Sequence, residues 1–105
     1  MATLRDKLIV RLEKLGVEHR PLPGREDGFA ALCYAGKPFA HFHNDNELDI
    51  RLTKAIIKRE GLQHPPGSIS HPNRSRTSHW IEVRLTKPAD LDRLTDLVKL
   101  AIAQI

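Results

Sequence analysis

Leu4, Leu8, Leu12 and Leu15, with Ile9 beside them, recur at helical spacing and predict a helix over 4–15. Thr3 and Asp6 have the spacing of a capping box, and Gly16 supplies the stop. The segment 19–28 carries Pro21, Pro23, Gly24 and Gly28 and reads as a connecting loop. Three strands are then expected, over 29–34, 37–43 and 47–52, joined by a tight Ala35-Gly36 turn and an Asn44-Asp45-Asn46 turn into an antiparallel meander. Thr53 can cap a short helix over 53–60, with Ala55, Ile56 and Ile57 inward and Gly61 at its end. The stretch 62–78, LQHPPGSISHPNRSRTS, has too little apolar content for a core element and is expected to be a long loop. Strand alternation resumes over 79–85. After Pro88, the residues Leu91, Leu94, Leu97, Val98, Ala101, Ile102 and Ile105 trace one face of a C-terminal helix. The expected order is α-β-β-β-α-β-α: a single α+β domain over 1–105, with helices on one face of a four-stranded antiparallel sheet.

Register turns this pattern into faces. With Asn44 to Asn46 as the loop, His43 faces Glu47, His41 faces Asp49 and Phe39 faces Arg51, so these six share one side of the sheet. Pro38, Ala40, Phe42, Leu48, Ile50 and Leu52 form the core side. Carrying the parity back through Ala35-Gly36 adds Phe29, Ala31 and Cys33 to the core and leaves Ala30, Leu32 and Tyr34 beside the histidines. In the last strand Ile81, Val83 and Leu85 point inward, while Trp80, Glu82 and Arg84 point outward. Read as a solvated face, the pairs His43/Glu47 and His41/Asp49 would each contribute about 0.2–1 kcal/mol.

Composition narrows the classes. The 105 residues are 40% hydrophobic and 29% charged, ordinary for a folded domain. No apolar run approaches a membrane span and no signal-peptide pattern opens the chain, so a cytosolic protein without membrane contact is expected. The lone Cys33 cannot form an internal disulfide and argues against a thiolate metal site. Seventeen basic against 13 acidic residues give a modest positive field, which permits an anionic partner without requiring one.

The candidate chemistry lies on the histidine face. Tyr34, Phe39 and Trp80 in a wet position suggest a surface for a small-molecule ligand or a protein partner, with 62–79 closing over it. The ligand-binding candidates are His41, His43, Asp49, Arg51, His64 and Trp80. The expected function is a small binding or accessory module. Nucleic-acid binding is the alternative, through Arg51, Arg74, Arg76 and Arg84 and an open sheet face, although Glu47, Asp49 and Glu82 would repel a polyanion. A metal-dependent small enzyme is a second alternative, in which His41, His43 and Asp49 supply a facial ligand set. His41 polarised by Asp49 has the makings of a general base. No nucleophile elbow, phosphate loop or cysteine–histidine pair specifies a reaction, so neither a reaction nor a cofactor is assigned. A second copy of the chain, in a homodimer, is another candidate cover for the sheet.

The pieces FAHFH, LDIRLT and GLQHP, followed by WIEVRL and a final helix, resemble the small "luciferase domain" family, whose function is unknown, over roughly 38–104. The resemblance implies a helix, a three-stranded meander, a short helix, a connector, a strand and a last helix. It also implies that His41, His43 and His64-Pro65 belong to the family pattern. It does not imply light emission, since the chain carries no flavin-binding or oxygenase signature. The stretch 71–78 has no place on that pattern. In layout the chain is also similar to TfoX N-terminal and MmcQ/YjbR-like domains, some of them described as DNA-binding.

Overall fold

The computed structural model describes residues 2–24, 28–63 and 78–105. Among these, α1 (Leu4–Glu13) is followed by β1 (Glu18–Pro21), β2 (Ala30–Tyr34), β3 (Lys37–Phe42), β4 (Glu47–Arg51), α2 (Lys54–Arg59), β5 (Trp80–Arg84) and α3 (Ala89–Ile102). The strands lie in sequence order in one antiparallel sheet, β1-β2-β3-β4-β5. The α+β class holds, but the sheet has five strands among the described residues rather than four. The added strand is β1, inside the stretch read as a loop. Pro21 is tolerated there because β1 lies at the sheet edge.

Local chemistry sets the helix ends. Thr3 Oγ1 accepts the Asp6 N–H and Asp6 Oδ2 accepts the Thr3 N–H, both at 3.1 Å, so the capping box forms. Pro88 offers α3 no side-chain cap. Asp90 instead holds the residues that lead into α3, its Oδ2 accepting the N–H groups of Thr86 at 3.0 Å and Lys87 at 3.1 Å. The Thr86 backbone bond is the largest cause holding the Asp90 carboxyl below its usual pKa.

The core lies between the sheet and the helices. Leu8 and Leu12 of α1 and Leu94, Leu97, Val98 and Ala101 of α3 join Ala40, Phe42, Leu48, Ile50, Leu52, Ile81 and Leu85 in one buried cluster. Each fully buried Leu, Ile or Phe contributes about 1.5–3 kcal/mol. Ile56 and Ile57 seat α2, whereas Ala55, expected inward, is exposed. Arg5 of α1 lies 4.3 Å from the centre of the Phe42 ring and donates to the Gly28 carbonyl and, at 3.2 Å, to Asp45 Oδ1. It thereby ties the helix to the β3–β4 turn.

One irregularity changes the faces. Leu32 pairs with Ala40 but Cys33 pairs with Pro38, so Phe39 is an extra residue in β3. Parity beyond this bulge is inverted relative to the simple alternation. Ala30 and Leu32, expected beside the histidines, are buried in the core, and Ala31 pairs with His41 instead. Phe29, expected in the core, stacks on His41. Phe39 is only 2% exposed and joins the core cluster, which overturns its placement on the histidine side. Cys33 is buried, but it follows the core-facing Leu32 in the strand, pairs with the exposed Pro38 and lies outside the core cluster, so its expected place on the core side does not hold.

Candidate binding site on the outer sheet face

The β3–β4 register is the expected one: His41 pairs with Asp49 and Phe42 with Leu48. The His43 N–H donates to the Glu47 carbonyl at 2.9 Å, which continues the ladder to the turn. Since Phe42, Leu48 and Ile50 face the helices, His41, His43 and Asp49 face away from them. The two imidazole centres are 4.7 Å apart and nearly perpendicular. His41 Nε2 lies 3.5 Å from Asp49 Oδ2. One nitrogen from each imidazole and one Asp49 oxygen all fall within 4.8 Å of one another.

Neighbouring strands build the surroundings. From the β2 side, the Phe29 ring stacks on His41 at 5.1 Å and approaches His43 at 6.2 Å. From β5, the half-buried Trp80 ring lies 5.5 Å from His41. Ring contacts of this kind contribute about 0.5–1.5 kcal/mol each and restrict the imidazole's rotamers. The chain enters β5 through His79, whose carbonyl accepts the N–H groups of Leu52 and Thr53 and whose Nδ1 accepts that of Lys54 at 3.0 Å. Trp80 is thus anchored at the junction of β4 and α2. Thr53 there adopts φ 80°, an uncommon conformation for a β-branched residue.

Sequence reasoning misjudged the electrostatics of this face. Asp49 and Glu82, expected on a solvated surface, are each 1% exposed. The surface-pair estimate therefore does not apply to His41/Asp49. Asp49 and Glu82 sit directly opposite each other on β4 and β5, an arrangement that is unfavourable for two charges. Neither Glu82 oxygen has a hydrogen-bond partner among the described residues. Glu47 is less isolated, because its Oε1 accepts from Asn44 Nδ2 at 2.9 Å, while its Oε2 is buried without a partner among the described residues. Glu82 was read only as an outward charge. Its direct pairing with Asp49, two strands from His41, follows only from the β4–β5 register, which the sequence does not set.

The other candidates separate. Arg51 pairs with Trp80 in register, is exposed, and lines a groove of about 270 Å³ with Lys37, Phe39, Ala101 and Gln104. Arg84 is exposed at the opposite end of β5, paired with Glu47. Tyr34, at the far end of β2, is partly buried and packs against the core cluster. His64, His71, Arg74 and Arg76 lie outside the described residues, as does most of the expected 62–79 cover. No described helix is long and apolar enough to cross a membrane.

A family model described as Luciferase domain matches residues 36–101, more than half of the chain. The chain belongs to the Luciferase domain family. No curated protein and no solved structure matches it. The Luciferase domain match begins at the turn before β3 and ends within α3. His41, His43, Asp49, Trp80 and Glu82 fall inside it, whereas α1, β1, β2 and Phe29 fall outside.

Proposed function

We propose that this Luciferase domain is a small-molecule binding module whose ligand lies against His41, His43, Asp49 and Trp80 and brings a hydrogen-bond donor or positive charge to Glu82. The observation that carries this reading is Glu82 itself, 1% exposed with both oxygens unpartnered among the described residues. A buried carboxylate without a donor costs several kcal/mol, and a bound donor would offset that cost. Phe29, His41 and Trp80 add flat surfaces, and the imidazoles add hydrogen-bonding groups of either sense. A polyanion suits this face poorly, because two sealed carboxylates lie beside the histidines.

The test is a two-dimensional NMR titration of the metal-free protein with pooled amines, guanidines, alcohols and amides of metabolite size. Signals of His41, His43, Asp49, Trp80 and Glu82 are expected to move together with one saturation curve. Shifts confined to the helices, or no shifts at millimolar concentration, would discard the reading.

A further inference from the structure

Two imidazoles at alternate positions of one strand point the same way, and a carboxylate on the next strand faces the first of them. Three donor atoms no more than 4.8 Å apart enclose a point at most about 2.8 Å from each. Metal–nitrogen and metal–oxygen bonds of about 2.0–2.2 Å therefore require each donor to move inward by no more than about 0.8 Å. Small χ rotations supply such a shift without altering the strand backbone. We propose that His41, His43 and Asp49 together bind one divalent first-row transition-metal ion, and that Glu82 accepts a hydrogen bond from a water or ligand group held on it. The proposal rests on reading this face as a binding site and names the chemical class of what binds there.

The donor set selects the ion class. Two imidazoles with one carboxylate suit zinc, iron(II), cobalt(II) or manganese(II), whereas calcium and magnesium prefer oxygen donors throughout. Three protein ligands on one side leave further coordination positions for water or a small molecule. Glu82 supplies the second, independent observation. A simple His41–Asp49 ion pair would account for Asp49 alone and would leave a second buried carboxylate directly across from it with no donor among the described residues. A dication beside Asp49 offsets the charge of both, and a metal-bound water offers Glu82 the hydrogen it lacks. Hydrogen-bond partners of bound ligands commonly alter metal affinity by about 10–100-fold, which sets the expected size of the Glu82 effect.

The experiment uses the full chain without a histidine tag, stripped with chelator and titrated with cobalt(II). Visible absorption and calorimetry follow the uptake. One equivalent is expected to bind, with ligand-field bands of mixed nitrogen and oxygen coordination. His43→Ala and Asp49→Asn should weaken binding by about 100-fold or more, and Glu82→Gln by about 10–100-fold. Circular dichroism melts confirm that each variant folds. If Asp49→Asn does not, the half-buried His43 carries the test. No uptake at millimolar cobalt or zinc, or uptake unchanged by His43→Ala, would overturn the metal site. Site-wide shifts with the metabolite pool in that case would leave the binding module standing without its metal; absence of both responses would remove the two together.

Discussion

A carboxylate held out of water without a donor is a local defect in the free protein, and Glu82 is such a group. Replacing it with an apolar side chain of similar length removes the desolvation cost and the repulsion from Asp49 across the β4–β5 ladder. Glu82→Met is therefore expected to raise the stability of the metal-free protein by about 1–3 kcal/mol, read from urea melts at pH 7. Lower stability in this variant would mean that Glu82 supports the fold rather than a ligand. The same substitution is expected to weaken cobalt binding, so stability and binding should move in opposite directions.

The elements differ in how clearly the chain announces them. The three helices and the meander from β2 to β4 follow apolar spacing and turn chemistry, and the His41–Asp49 register follows from the length of the Asn44–Asn46 turn. The bulge at Phe39 was invisible because an inserted residue leaves the hydrophobic pattern locally plausible in either parity. That single residue exchanged Ala30 and Leu32 with Phe29 and Ala31, and so hid the Phe29 side of the site. The edge strand β1 escaped because Glu18, Arg20 and Pro21 are exposed and only His19 is partly buried. The sealing of Asp49 and Glu82 was unreadable for another reason: alternation assigns a face but does not say what covers it.

His19 makes the docking of β1 measurable. Its ring meets Phe42 edge-on at 6.4 Å, and its Nε2 is buried without a partner among the described residues. Burial, then the positive charge of Arg5 on α1, pushes the imidazole pKa below its ordinary value, while Glu13 and Asp6 of the same helix oppose the shift more weakly. The unfolded chain thus takes up this proton more readily than the folded one. The stability contribution is complete above about pH 6.5 and is lost as pH falls below it. Urea midpoints of the native chain should fall between about pH 7 and 5 more steeply than those of His19→Gln. Parallel profiles would show that β1 does not shield His19.

At the scale of the molecule, among the described residues, the helices cover one sheet face and the other gathers two imidazoles, two sealed carboxylates and two aromatic rings. Against the chain's formal net charge of +4, two carboxyl side chains buried on facing strands are a local exception. The Luciferase domain match includes all of the proposed metal-binding residues and Glu82. The most direct measurement is long-range proton–nitrogen NMR of the histidine side chains as zinc(II) is added to the metal-free chain. The His41 and His43 imidazole signals are predicted to shift together and to saturate at one equivalent, with the Trp80 indole following. Shifts at other histidines while those two stay in place would contradict the account.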